Sequence, residues 1–193
     1  MAVKTGKENT MSVNASSVFI SVVVWATATA TCLAAAADAR LVHEAIVDAP
    51  VDDVWAAFTT KAGQESWNVA HAEIDLQVGG KMLTHYDAKG AIGDPNTIEN
   101  TILSFDAPRM ISIRATKPPE KFPFKEALKK MWTVVYFERA GERQTKVTVV
   151  SQGFGDDEDS KTMRGHFDAG NAFTLKKLQK RFAPKEPAGT AKP

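Results

Sequence analysis

Cysteine is almost absent from this 193-residue chain, where Cys32 is the only one. A single cysteine cannot form an intramolecular disulfide or a thiolate zinc site, so the fold depends on its hydrophobic core. An excess of one charge is also lacking, because 24 Lys and Arg residues balance 23 Asp and Glu residues. We therefore expect no nucleic acid as the main partner, since nucleic acid selects a basic surface.

Histidine is scarce as well, with His43, His71, His85 and His166 as the four examples. No two of them are four residues apart, the helical spacing of a zinc site. We expect the strand histidines to face solvent and predict no metal site and no cofactor. No Gly-x-Ser-x-Gly elbow is present either, so the sequence names no catalytic residue.

Only one long run lacks charge, from Val18 to Ala37, and it follows the basic residues Lys4 and Lys7. Small residues come next, which is the pattern of a secretory signal. We predict that residues 1–39 are a signal peptide cleaved between Ala35 and Arg40. The mature protein is then periplasmic or secreted, with no stable membrane insertion. An uncleaved membrane anchor stays open, because about 20 uncharged residues can just span a bilayer, and either Met1 or Met11 can be the start.

Apolar and polar residues alternate in several stretches bounded by turn residues, which predicts strands. Pro50 is followed by apolar residues at helical spacing, and a second short helix or turn is predicted over Gln64–Trp67. A long helix is predicted from the acidic run at 156–160 to Phe182. The predicted strands are Leu41–Asp48, 71–78, Lys81–Tyr86, Thr97–Phe105, Met110–Ala115, Met131–Glu138 and Thr145–Ser151.

This order of elements indicates an α+β fold, with a curved antiparallel sheet of about six to seven strands wrapped around the long C-terminal helix. The sheet has one apolar face, and only that helix is long enough to cover it. We place the domain at residues 40–183. Residues 184–193 are rich in Pro, Lys and Ala and are predicted to be a disordered tail.

Several short motifs resemble one superfamily. They are Ala49-Pro50 with Val54-Trp55, Trp67, Gly79-Gly80, Pro108-Arg109, and Thr145-x-Val147-x-Val149 before Gly153-Phe154. Together they resemble the SRPBCC (START-like) helix-grip superfamily over about residues 41–182. The branch it is most similar to contains homologues of the activator of heat-shock-protein ATPase and polyketide-cyclase-like proteins. The resemblance implies a helix-grip fold and leaves the activity open.

The sequence departs from that resemblance at two places. Many relatives have Gly-Trp in the middle of the last helix, where this chain has Gly170-Asn171. Many also have His before the final Gly-Phe, where this chain has Ser151-Gln152. Replacement of an indole by Asn171 is expected to enlarge a cavity between sheet and helix.

The best candidates for a binding site are polar residues at strand positions where the alternating pattern calls for an apolar residue. Asn100 lies between Ile98 and Ile102, and Arg114 lies on the strand face of Met110 and Ser112. An Arg with an amide and a phenol can orient a carboxylate or carbonyl ligand. The alternative is that Asn100 bonds to a neighbouring strand and Arg114 faces water. The predicted ligand-binding residues are Tyr86, Asn100, Arg114, Trp132, Tyr136, Phe167 and Asn171.

Three functions are compatible with these features. The first is an exported protein that binds a small hydrophobic molecule, lipid-like or polyketide-like, between the sheet and the helix. The second is a cyclase-type or hydratase-type enzyme that uses Arg114, Tyr86 or Asn100 as polarising groups. The third is a chaperone-like interaction domain. The sequence does not indicate the oligomeric state.

Overall fold

One antiparallel sheet of seven strands dominates the computed structural model, which describes residues 40–184. The predicted signal peptide and the predicted tail after Pro184 lie outside the described residues. The strand order is β1-β7-β6-β5-β4-β3-β2, so the first and last strands in sequence are neighbours. The strands are β1 Leu41–Val47, β2 His71–Ile74, β3 Lys81–His85, β4 Ile98–Asp106, β5 Met110–Lys117, β6 Trp132–Gly141 and β7 Gln144–Gln152.

The predicted alternation of apolar and polar residues sets the two faces of this sheet. On β6, Val135 and Phe137 are buried, whereas Tyr136 between them is 41% exposed. Their register partners on β7, Val149 and Val147, are buried with them. Successive side chains of a strand point to opposite faces, so these four residues define an inner face that carries the hydrophobic core.

Two short helices, α1 Val51–Thr59 and α2 Lys61–Glu65, follow β1. Both were predicted, but the second begins three residues before the predicted Gln64–Trp67. α1 covers part of the inner face, because the rings of Trp55 and Phe58 pack on Phe137 with centroids 5.6 and 5.1 Å away. A third helix, α3 Lys125–Leu128, lies between β5 and β6, where the sequence predicts no helix. It is one turn long and begins soon after Pro123, so its sequence carries no helical period.

The long C-terminal helix, α4 Glu158–Phe182, crosses the inner face as the helix-grip fold requires. Its first turn is capped by Asp157, whose carboxylate accepts a hydrogen bond from the Ser160 N–H at 2.9 Å. Near the other end, Lys177 Nζ donates to the Asn68 carbonyl at 2.7 Å and Gln179 Nε2 donates to the Ile46 carbonyl at 3.0 Å. These contacts hold the helix against both the sheet and the α2–β2 connection. The predicted fold class is therefore confirmed.

His85 departs from the expectation that the strand histidines face solvent, since it is 2% exposed. The loop between β3 and β4 folds over its ring and supplies a partner for each nitrogen. Asp87 N–H bonds to Nδ1 at 3.2 Å, and Asp94 Oδ2 lies 2.9 Å from Nε2. The second pair is close enough for an ion pair but is not aligned as a hydrogen bond. The alternation of apolar and polar residues within β3 cannot show that a loop covers His85, because that contact is tertiary.

Asp94 also organises this loop. Burial tends to raise the pKa of its carboxyl, but hydrogen bonds from the backbone N–H groups of Ala91 and Asn96, with His85 nearby, lower the pKa overall. The carboxylate is therefore favoured at neutral pH and holds the loop closed on the His85 ring.

Gly90 tests how tightly this loop closes. A Cβ at Gly90 would lie 2.0 Å from His85 Cε1, whereas nothing lies within 4 Å of a Cβ at the helical Gly170. We expect Gly90→Ala to destabilise the fold by about 1–3 kcal/mol through overpacking. The matched Gly170→Ala change is expected to stabilise it by about 0.5–1 kcal/mol, because Ala restricts the unfolded chain. Urea unfolding of both variants measures this, and a Gly90→Ala protein as stable as the parent would show an open loop.

Candidate ligand cavity

A cavity of about 200 Å³ lies between the inner face of the sheet and α4. Helices α1 and α3 close it at the sides, and the central strands β4 to β7 form its floor. Most of its lining is apolar. The lining residues are Phe58, Asn100, Ile113, Ala115, Leu128, Met131, Trp132, Thr133, Val135, Val149, Phe167, Asn171, Thr174 and Leu175.

Two features of the chain create this space. α4 presents Asn171 and Thr174 to the sheet, between the larger Phe167 and the buried Leu178. In addition, the β5–β6 ladder ends at the pair Ile113–Thr133, so the two strands are no longer paired beyond it. The small Ala115 follows on β5, and the gap is closed only in part by Leu128 and Met131, which line the cavity.

Four of the predicted site residues line the cavity together: Asn100, Trp132, Phe167 and Asn171. Asn171 thus faces the sheet as its helical register predicted. Gly170 is exposed and does not share that face, because one residue along a helix is a turn of about 100°.

Arg114 lies beside this group rather than in it. Its neighbours Ile113 and Ala115 line the cavity, so strand alternation places Arg114 on the opposite, outer face. There its guanidinium carbon is 5.9 Å from the ring centroid of Trp132, which is a cation–π contact. Trp132 therefore forms the rim, and the predicted role of Arg114 in orienting a carboxylate inside the cavity is not supported by its position.

The two tyrosines were predicted to share the cavity, and the structure corrects this. Tyr136 is 41% exposed because its neighbours on β6 take the inward positions. Tyr86 is 60% exposed and follows the last residue of β3, where strand alternation no longer determines the direction of a side chain. Neither residue lines the cavity.

Sequence reasoning missed a polar pair in the cavity wall. Thr133 lines the cavity, and its Oγ1 is 3.2 Å from Oγ of the fully buried Ser151 on the neighbouring strand. Asn171 Nδ2 donates to the same Ser151 oxygen at 3.2 Å. The sequence does indicate that Thr133 faces inward, because it alternates with Val135 and Phe137 just as Asn100 lies between two isoleucines. It does not indicate that Ser151 is its partner.

No lining residue carries a charge at neutral pH. The polar side-chain groups belong to two amides, two hydroxyls and the indole N–H of Trp132, and the carboxamide of Asn100 has no hydrogen-bond partner within residues 40–184. In the same residues, no cluster of His, Cys, Asp or Glu has the arrangement needed to hold a metal ion. The cavity is therefore suited to an uncharged molecule that is mostly apolar and has a hydrogen-bonding group.

Comparison with known proteins agrees with this architecture. The family described as Activator of Hsp90 ATPase homolog 1-like protein matches residues 48–183. The chain belongs to this family. No curated protein matches the chain significantly. None of the helices in residues 40–184 is long and apolar enough to cross a membrane.

Solved structures share the fold of this family member at low sequence identity. Protein MLL2253 from Mesorhizobium loti is 16% identical with a TM-score of 0.60, covering 77% of this chain and 99% of its own. The Aha1 dimer from Colwellia psychrerythraea is 15% identical with a TM-score of 0.60, and the match covers 77% of this chain and 98% of the Aha1 chain. DynU16, a protein in the dynemicin biosynthetic locus, is 17% identical with a TM-score of 0.55, covering 74% of this chain and 46% of its own.

Asn171 offers a direct test of the cavity. An indole buries about 150–250 Å², so we expect Asn171→Trp to fill part of the space and to weaken binding of an apolar fluorescent probe. Stability is expected to hold or rise because a filled void adds contacts, with overpacking as the opposing effect. Probe titrations and thermal melts against the parent measure both. Unchanged binding together with unchanged stability would mean that Asn171 does not face a cavity.

Proposed function

We propose that this protein binds a small, uncharged, mainly apolar molecule between its sheet and α4. The observation that carries the proposal is the cavity lining, which is apolar apart from neutral amides, hydroxyls and one indole N–H. Its volume of about 200 Å³ exceeds the roughly 150 Å³ that accepts benzene and is below the roughly 300–1,000 Å³ of drug-sized sites. A fused bicyclic ring or a short acyl chain is the appropriate size.

The comparison structures support a polyketide-like compound as one class of ligand. DynU16 belongs to the dynemicin biosynthetic locus and shares the fold of this chain. The small volume of the cavity argues for an aromatic fragment of such a compound rather than for a long lipid chain.

A cyclase-like enzyme is the second candidate, and Asn100 is the observation that favours it. Its carboxamide faces the cavity without a partner within residues 40–184, so it is free to polarise a carbonyl group. No titratable side chain lines the cavity, however, and proton transfer needs a group within hydrogen-bond reach. Tyr86 and Arg114, the other predicted polarising groups, lie elsewhere. Binding therefore explains more of the site than catalysis does.

Native mass spectrometry with matched probes tests the binding proposal. We expect naphthalene-sized neutral probes to bind one-to-one and the anionic 2-naphthoate to bind at least about tenfold more weakly, because a charge buried without a partner is costly. Arg114→Met serves as the control and is expected to leave the ratio of the two affinities unchanged, since Arg114 lies on the outer face and reaches the cavity only through its contact with Trp132. Absence of neutral binding, or preferred binding of naphthoate that is lost in Arg114→Met, would overturn the proposal.

We also propose that the protein is exported and that the ligand is met outside the cytoplasm. The support is the uncharged run after Lys4 and Lys7, followed by small residues. N-terminal sequencing of protein isolated from its own cells is expected to begin between residues 36 and 40. A mature protein that retains Val18–Ala37 would instead favour the membrane-anchored alternative.

A further inference from the structure

We propose that Thr133 is a specificity-determining residue that donates a hydrogen bond to a carbonyl-type acceptor of the ligand. Asn171 and Ser151 are the positioning residues that fix the direction of this bond. The inference rests on the proposed function, because it requires a ligand in the cavity, and it adds the chemical class of that ligand.

The geometry is a chain of three polar groups that runs from α4 through the sheet to the cavity. Asn171 Nδ2 lies 3.2 Å from Ser151 Oγ, and Ser151 Oγ lies 3.2 Å from Thr133 Oγ1. Ser151 is completely buried, whereas Thr133 lines the cavity. This series of hydrogen bonds therefore begins on the helix and ends at the cavity, where a ligand would bind.

The direction of the bonds follows from counting protons. An amide nitrogen only donates, so Ser151 Oγ accepts from Asn171, and the single Ser151 proton needs an acceptor. Thr133 Oγ1 is the only other partner of the Ser151 hydroxyl within residues 40–184. Ser151 therefore donates to Thr133. Because Thr133 Oγ1 accepts the hydrogen bond from Ser151, the Thr133 hydroxyl cannot also donate to Ser151. Its proton is therefore available to an acceptor in the cavity.

A donor at this position selects the ligand. The surroundings of Thr133 are apolar, with Val135 and Val149 beside it in the cavity wall. A buried donor that finds no acceptor is unfavourable, so a ketone, ester or quinone oxygen is expected to bind there in preference to a plain hydrocarbon of similar shape. A site built to pair with a polar group rejects analogues that lack it.

Three probes with one ring system separate the possibilities: naphthalene, 2-acetylnaphthalene and 2-naphthol. The parent protein is expected to prefer 2-acetylnaphthalene over naphthalene by about tenfold, the order that the net contribution of one hydrogen bond gives. Thr133→Val removes the donor at nearly constant shape. It is expected to abolish this preference: 2-acetylnaphthalene binds more weakly, and naphthalene binds at least as tightly because no donor is left unpaired.

Asn171→Asp is the sharper test because it reverses the direction of both hydrogen bonds. A carboxylate only accepts, so Ser151 would donate to it and Thr133 would donate to Ser151. Thr133 then presents an acceptor to the cavity, and the preference is expected to move from 2-acetylnaphthalene to 2-naphthol. Because position 171 itself lines the cavity, the shift is assigned to Thr133 only if it is lost when Asn171→Asp is combined with Thr133→Val. Thr148→Val is the matched control, since its hydroxyl bonds to Glu44 on the outer face, and it is expected to keep the parent's preference.

The outcomes distinguish the two proposals. If the parent binds naphthalene but shows no preference for the ketone, or if Thr133→Val keeps that preference, the role of Thr133 is wrong and the binding function stands. A parent preference for 2-naphthol would likewise overturn the donor role of Thr133, because the hydrogen bonds would then run from Thr133 to Ser151 to Asn171. If none of the three probes binds, the proposed function is wrong and this inference falls with it.

Discussion

The packing of α4 across the inner face of the sheet is the constraint on which the site depends. The helix is anchored by buried apolar residues at both ends, Met163 on one side and Leu178 on the other. Leu178 packs in the core on the sheet and Met163 packs against α3, and the residues between them do not fill the gap. A helix with Asn171 and Thr174 in the middle therefore leaves a void, and a packed interior tolerates such a void mainly where a ligand or water occupies it.

The electrostatics of the cavity follow from the same arrangement. Strand alternation puts Arg114 on the outer face, and ion pairs such as Lys81 with Glu99 and Lys146 with Glu44 lie at the surface. The polar side chains that line the cavity are therefore neutral groups that can form hydrogen bonds. The chemistry open to such a site is selection by shape and by single hydrogen bonds, and this is why binding accounts for it better than acid–base catalysis.

Much of this architecture could be predicted from the sequence, because periods of two and of 3.6 residues reveal which faces are apolar. The same reasoning placed Asn100 and Asn171 in the cavity. It failed for Tyr86, which follows the end of a strand, and for His85, which is buried by a loop from farther along the chain. The Thr133–Ser151 contact was not predictable, since it depends on the register between β6 and β7, which a single sequence does not specify.

The most direct test of the account is the position of a bound probe. Intermolecular NOEs between 2-acetylnaphthalene and methyl-labelled protein report which side chains contact the ligand. The account predicts contacts to Ile113, Thr133 and Val149, which line the cavity from three neighbouring strands. Contacts to Val42, which is 50% exposed on the outer face, with none to the cavity methyl groups, would contradict it.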